Sequence, residues 1–251
     1  MMDARAVSTV DKVLDILALL SHERTQISIE EIKQELNLSQ STAYRYVRIL
    51  VDRGFLDRID TGNYRLGATL IALSQAALHT DRNVRLAALP SMKRIAEETR
   101  ESVSLMRRVN KRAVCIESLE GQYALRVTIE PGRTQRLHAG ASSKVLLAFS
   151  DARHWESLLE FPLQAFTNNT LTDLDALKQH LLEIRQAGYA VSDGEIDIGA
   201  RAVAVPILNR HSEIVAALSI EAPQSRMDNS VLQLYIALLQ DHAQTIRSAL
   251  N

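Results

Sequence analysis

Apolar residues recur at three- and four-residue steps through Val7, Val10, Val13, Leu14, Leu17 and Leu20, which predicts an amphipathic helix over about 8–20. Ile29, Ile32 and Leu36 predict a shorter second helix. Ser28 with Glu31 three positions on marks its start, because each side chain then satisfies the other's orphan backbone N–H, and Asn37 is placed to end it. Ser39 caps a third helix over about 39–53, closed by Gly54. Along it Ala43, Val47 and Leu50 share one face, while Ser41, Arg45 and Arg48 share another, with Gln40 and Tyr44 nearby. Residues 55–59 and 63–66 then read as two short strands around Asp60-Thr61-Gly62, a hairpin with its turn. Helix, helix, tight turn, helix, hairpin is the order of a winged helix-turn-helix. In that arrangement the third helix enters the major groove and the hairpin reaches the adjoining backbone or minor groove.

Beyond Gly67 the pattern changes. ATLIALSQAALHTDRNV reads as one helix joining two modules, with an apolar stripe through Leu70, Leu73, Ala77 and Leu78 that suits a dimer surface or packing within the chain. LAALPSMKRIAEETR is helical; SVSLMRRV, AVCIESL and YALRVTI are short runs rich in strand formers. Two helices at about 141–149 and 151–160 and a longer one at about 173–187 follow. GYAVSD, RAVAVPIL and EIVAALSIEAP read as strands before a closing helix at 227–250. The expected fold is α+β: a winged helix-turn-helix over 1–66, a linker helix over 67–83, and over 84–251 a mainly antiparallel sheet with flanking helices.

Charge narrows the function less than its distribution does. Net charge is −1, and the first 67 residues carry nine Lys/Arg against ten Asp/Glu, so no global basicity advertises nucleic acid. Yet no acid lies between Glu35 and Asp52, and that island contains the outward face of the third helix. Arginine binds guanine O6 and N7 with two bonds, and Ser, Thr and Gln suit phosphates or base edges, whereas a carboxylate there repels phosphate. The expected DNA contacts are Gln40, Ser41, Thr42, Tyr44, Arg45 and Arg48, with Asn63 and Arg65 from the hairpin. A single cysteine, Cys115, allows no internal disulfide and reads as a small buried apolar residue. The N-terminal apolar stretch is broken by Asp11, Lys12 and Asp15, unlike a signal segment or a membrane span of about twenty apolar residues, so a cytoplasmic protein without a membrane partner is expected.

STAYRYVRILVDRGFLDRIDTGNYRLG resembles the recognition helix and wing of the IclR transcriptional regulators. GRTQRLHAGASSKVLLA, AGYAVSDGEIDIGARAVAVPI and EIVAALSIEAPQSR resemble the motifs of that family's effector domain, in the same order. The resemblance implies a GAF-like C-terminal domain that senses a small metabolite, such as an organic acid or aromatic compound. It also implies a homodimer or homotetramer on a palindromic DNA operator, which two-fold symmetry favours on physical grounds. Carried over by position, the effector site comprises Ala141 and Ser142 after His138, Ser192, and Ala200 and Ala202 beside Arg201, with Ser219 and Glu221 from the next strand. The chain departs from the family where Ser192 stands for a frequent aspartate and Ala202 for a cysteine. Glu221 could receive a ligand hydroxyl or amine, or pair with Arg201 or Arg226.

Catalytic patterns are weak. Gly140-Ala141-Ser142-Ser143-Lys144 falls short of a nucleophile elbow because Lys144 replaces the last glycine, and Ala141 replaces the serine of a Ser-x-x-Lys pair. The histidines form no metal-ligand spacing and no phosphate-cradling glycine loop is present, so no cofactor, metal or enzymatic role is expected. Lys144 is expected to cap or neutralise a group near its helix, or to be solvated. A different class of function, a metabolite-binding module whose helix-turn-helix contacts protein, fits the same pattern without the DNA.

Overall fold

In the computed structural model, residues 9–21, 24–60, 62–80 and 82–250 are described, without the side chains of 75, 77–80 and 82. Contacts divide the chain into two compact units, Met1–Thr80 and Asp81–Asn251.

In the first unit, helices α1 (Thr9–Ala18), α2 (Ile29–Glu35) and α3 (Gln40–Asp52) pack with a small sheet of β1 (Ile27–Ser28), β2 (Leu56–Arg58) and β3 (Asn63–Leu66), ordered β1-β3-β2. Local chemistry accounts for most boundaries. Ser28 and Glu31 form the reciprocal cap at the start of α2, and Ser39 Oγ accepts from the Thr42 amide at the start of α3. Asn37 turns the chain between them in the left-handed region at φ 48°. Gly54, at φ 70°, ends α3, and Gly67 lies so close that an added Cβ would sit 2.3 Å from Gly54 O. β1 was not expected. It exists because Ile27 and Ser28 pair with Tyr64 and Asn63 of the hairpin, a contact between segments far apart in the chain.

The core of this unit holds Ile16, Ile27, Ile32, Ala43, Val47, Leu50 and Leu56. It bears out Val13, Leu17 and Leu20 of the expected stripe of the first helix, which lie in or against it, and corrects Val10 and Leu14. Ile16 is fully buried and Leu20 nearly so, whereas Val10 and Leu14 are 66% and 57% exposed. Two adjacent apolar rows run along α1, and packing against α3 selects the row through Ile16. Val7 and Thr61 lie outside the described residues.

Helix α4 (Ala68–Thr80) follows, and α5 (Arg82–Thr99) opens the second unit; the expected linker helix over 67–83 covers α4 and the first residues of α5, with Asp81 outside the described residues. Leu73 is 50% exposed; Ala77 and Leu78 lie outside the described side chains. The second unit contains β4 (Ser102–Val109), β5 (Arg112–Leu119), β6 (Thr134–Arg136), α6 (Ala141–Ala148), α7 (Trp155–Leu158), α8 (Leu174–Ala187), β7 (Ala190–Asp193), β8 (Ala200–Leu208), β9 (Ile214–Pro223) and α9 (Asn229–Ala249). Its six strands form one antiparallel sheet in the order β6-β5-β4-β9-β8-β7. Residues 123–129, expected as a strand, have no ladder partner: the chain crosses beside the sheet, and Thr134–Arg136 pairs with β5 instead. The β-branched run there lines a cavity rather than a pleated surface, which is the context that strand propensity depends on.

Alternation along β8 and β9 separates two cores. Val203, Val205, Ile207, Leu218 and Ile220 face α5 and α9, while Ala204 and Ala217 face α6 and α8 with Met106, Cys115, Leu146 and Leu181. On the second face β9 continues from Ala217 to Ser219 and Glu221, so an apolar row becomes polar inside the fold. Among the described residues no helix is long and apolar enough to cross a membrane.

Candidate functional site

The first candidate surface is the outer face of α3. The apolar positions Ala43, Val47 and Leu50 are buried, and by helical periodicity this turns Gln40, Ser41, Tyr44, Arg45 and Arg48 outward, where all five are exposed. Thr42 is half-buried. Its hydroxyl receives the Ser39 hydroxyl at 2.8 Å, so it contributes to the helix cap. The Arg45 guanidinium lies over the Tyr46 ring, 5.2 Å from its centroid. Arg48 is 83% exposed, with Asp52 3.7 Å away one turn on. In the hairpin, Asp60 Oδ1 accepts from the backbone amides of Gly62 and Asn63, and both Asp60 oxygens accept from Asn63 Nδ2, all at 3.1 Å. Those bonds, led by the Asn63 side chain, hold the Asp60 carboxyl below its ordinary range. Asn63 is therefore engaged in the turn. Arg65, 62% exposed and 3.7 Å from Asp57, is the freer of the two expected hairpin residues.

The second candidate is a cavity of about 490 Å³ in the C-terminal unit. Of the expected effector residues, Ala141, Ser142, Ser192, Ala200, Ala202 and Glu221 line it; Ser219 does not, lying fully buried behind Ser142 and Glu221. Its walls come from the start of α6, the crossing segment 127–129, Phe166, and Ile196 in the loop after β7. Arg112, Arg133 and Arg136 line it from β5 and β6 and the turn before β6. Glu160 takes Arg112 at 2.8 Å and Arg136 at 3.1 Å.

Hydroxyls converge at the β9 side. Ser142 Oγ donates to Ser219 Oγ at 2.8 Å; Ser219 and Ser104 hydroxyls donate to Glu221 Oε1 at 2.5 and 2.7 Å. Burial pushes the Glu221 carboxyl up to about 7, against the opposing pull of those two hydroxyls. Neither expected arginine pairs with it. Arg201 reaches Asp193 at 3.4 Å and Met227 O at 2.7 Å, and Arg226 grips both oxygens of Glu101 at 2.5 and 2.8 Å.

Lys144 is 1% exposed and neutralises Glu195, while also donating to Val191 O at 3.0 Å. Glu195 Oε2 in turn accepts the Gly140 amide at 3.0 Å, and its backbone oxygen accepts Thr170 Oγ1 at 2.6 Å. This buried pair thus ties the 167–170 loop to the start of α6 and the loop after β7, two parts of the cavity wall. His138 sits behind, stacked 6.0 Å from Phe166, with Nε2 2.9 Å from Gln164 O. Cys115 is buried, and its thiol is pushed up to about 12, mainly by burial.

Sequence reading missed Ser104, the Glu195 partner of Lys144 and the three arginines. Ser104 carried a usable signal. It alternates with Val103 and Leu105 in the buried half of β4, as Ser219 and Glu221 do with Leu218 and Ile220, and Ser104 is registered opposite Ser219.

Residues 75–248 match the family model for the C-terminal domain of the bacterial transcriptional regulator IclR, and residues 9–60 match the IclR helix-turn-helix domain. The chain is 32% identical to the HTH-type transcriptional regulator KdgR of Escherichia coli K12, over 98% of this chain and 94% of that protein. It is 30% identical to XynR of the same organism, over 98% of each. Among solved structures, an IclR homologue from Microbacterium hydrocarbonoxydans complexed with 4-hydroxybenzoate superposes with a TM-score of 0.81 at 30% identity. That match covers 97% of this chain and 99% of the homologue.

Proposed function

The chain belongs to the IclR family of bacterial transcriptional regulators, and from that premise we propose how it acts. The outer face of α3 reads a palindromic operator, with the hairpin on the adjoining backbone, and the cavity of the second unit binds a small-molecule effector. The working form is a homodimer or a dimer of dimers, since one short helix reads only a few base pairs and two half-sites must be engaged together. Effector binding alters operator affinity by favouring one placement of the paired reading heads over another, which requires different affinity for the two placements. The linker segment around α4 is the natural lever.

The observation that carries the reading is the five-residue outward face of α3. It holds two exposed arginines and no acid until Asp52, on a helix whose opposite face is core. The homologue complexed with 4-hydroxybenzoate supports the sensing half, as does a cavity of about 490 Å³, a size that suits small metabolites.

The test is a salt titration of binding to the promoter DNA flanking the protein's own coding region, against a scrambled duplex. Specific binding whose log affinity falls linearly with log salt, at dimer stoichiometry, is the expected result. Absence of binding to either duplex at low salt would favour the module that contacts protein through its helix-turn-helix. Ser142→Trp, which fills the cavity, is expected to abolish the effector response and leave operator binding intact.

A further inference from the structure

Lys144 enters the interior of the second unit from α6, and its ammonium has three protons to place. One goes to Glu195, one to Val191 O at 3.0 Å and one to His180 Nε2 at 3.2 Å. Lysine only donates, which fixes the state of the imidazole: Nε2 accepts, and the ring proton lies on Nδ1, 3.5 Å from Glu183 Oε2. The neutral ring is therefore the third acceptor of a buried clasp. It is also the member that reaches water, since its side chain is 36% exposed against 2% for Lys144 and 11% for Glu195.

A proton added at Nε2 removes that acceptor and sets two cations 3.2 Å apart. The ring faces Lys144 from α6, Glu195 from the loop after β7 and Glu183 from its own helix α8, while β7 offers the Val191 carbonyl to the same ammonium. Neither carboxylate offsets the repulsion. Glu195 is committed to Lys144 and to the Gly140 amide at 3.0 Å, and Glu183 is 61% exposed, where water screens it. Burial, and then Lys144, hold the imidazole below its ordinary range against the pull of Glu183.

We propose that His180 is a proton-operated release in the sensor unit: neutral, it completes the Lys144 clasp, and protonated, it turns to solvent and loosens α6 and β7. Those elements carry Ala141, Ser142 and Ser192 of the cavity wall, whereas His180 itself lies outside the lining. Acidification thus reaches the cavity from behind its wall, whatever the cavity binds.

The experiment follows the seven histidine rings of the full chain by NMR as pH is lowered, with His180→Gln identifying the His180 signal. That ring is expected to titrate below the ordinary value of about 6.5, and titration at or above it overturns the clasp. Hydrogen exchange of both proteins, corrected for its intrinsic pH dependence, then locates the loosening. Between about pH 7.5 and about pH 5, peptides spanning 139–148 and 190–193 should exchange more than about tenfold faster in the wild type. In His180→Gln, whose side-chain oxygen accepts from Lys144 without titrating, the same peptides should change by less than about threefold. Equal acceleration in the two proteins, or acceleration spread evenly over the second unit, overturns the release. Thermal unfolding supplies the last readout. The unfolded chain takes up the histidine proton first, so stability falls as pH falls through the ordinary histidine range. The wild type should lose at least about 3 °C more in Tm than His180→Gln between about pH 7.5 and about pH 5. Glu221 is common to both proteins, so its own pH dependence drops out of that difference, and parallel Tm curves overturn the proposal.

Discussion

The outer face of α3 and the β9 end of the sensor cavity are both polar, and they obey opposite rules. On α3 the polar groups face water: Arg48 is 83% exposed, and its nearest acid stands 3.7 Å off. Desolvation is deferred until a partner arrives, so these side chains cost the folded chain little. In the cavity wall and behind it, Glu221, Ser219 and Lys144 have exposures of 2%, 0% and 1%, and their desolvation is incurred on folding. The contrast separates a surface whose polarity is free to be changed from an interior whose polarity must be balanced partner by partner.

Removing Lys144 should show the largest effect. Lys144→Ala leaves Glu195 buried with its cation gone, an error that typically costs about 3–5 kcal/mol. A large fall in the Tm of the C-terminal unit is expected, measured by calorimetry. A fall no greater than for a surface lysine would erase the distinction between the two regions.

Glu221 comes next. Its carboxyl is raised from 4.5 to about 7, so between those values the folded chain holds a proton that the unfolded chain has released. Stability attributable to this group therefore falls as pH rises through that window and is level above it, by up to about 3 kcal/mol. Glu221→Gln should be more stable than the wild type at pH 8, and the difference should fade towards pH 4.5. Denaturant titrations across that range provide the check, and parallel curves for the two proteins would show that the carboxyl is not desolvated.

Arg45→Ala and Arg48→Ala should each weaken operator binding by about 10- to 100-fold while moving stability by less than about 0.5 kcal/mol. The variant that also loses discrimination between operator and scrambled duplex identifies the arginine that reads bases. If both bind as the wild type does, α3 is not the reading surface. The smallest effect belongs to Asp52→Asn, which removes the acid beside Arg48. Stability should change by less than about 0.5 kcal/mol, with a slight gain in DNA affinity visible at low salt.

Much of the first unit was legible because its signals are local. The Ser28–Glu31 cap, the Ser39 cap, Gly54 and the division of α3 into two faces all operate within a few residues of chain. The first helix shows the limit: its periodicity was clear, yet the choice between the row of Val10 and Leu14 and the row of Ile16 belonged to the surface it packs against. In the second unit the strands of β8 and β9 followed from their β-branched alternation. The run 123–129 is also rich in strand formers and formed no strand, and the edge of β5 is paired with Thr134–Arg136 instead. The cavity positions Ser142, Ser192 and Glu221 were named through a family resemblance, and residue chemistry alone would not have joined them.

By itself the sequence determined the helix-turn-helix order, the caps and turns, and the acid-free outward face of α3, since each depends on neighbours within one or two turns. Tertiary structure decided which groups answer one another inside the sensor unit. Lys144 meets Glu195 from 51 positions away, and Ser104 meets Glu221 from 117. A buried charge takes the state its partners allow, and in this chain those partners are set by strand register and helix packing rather than by spacing along the chain.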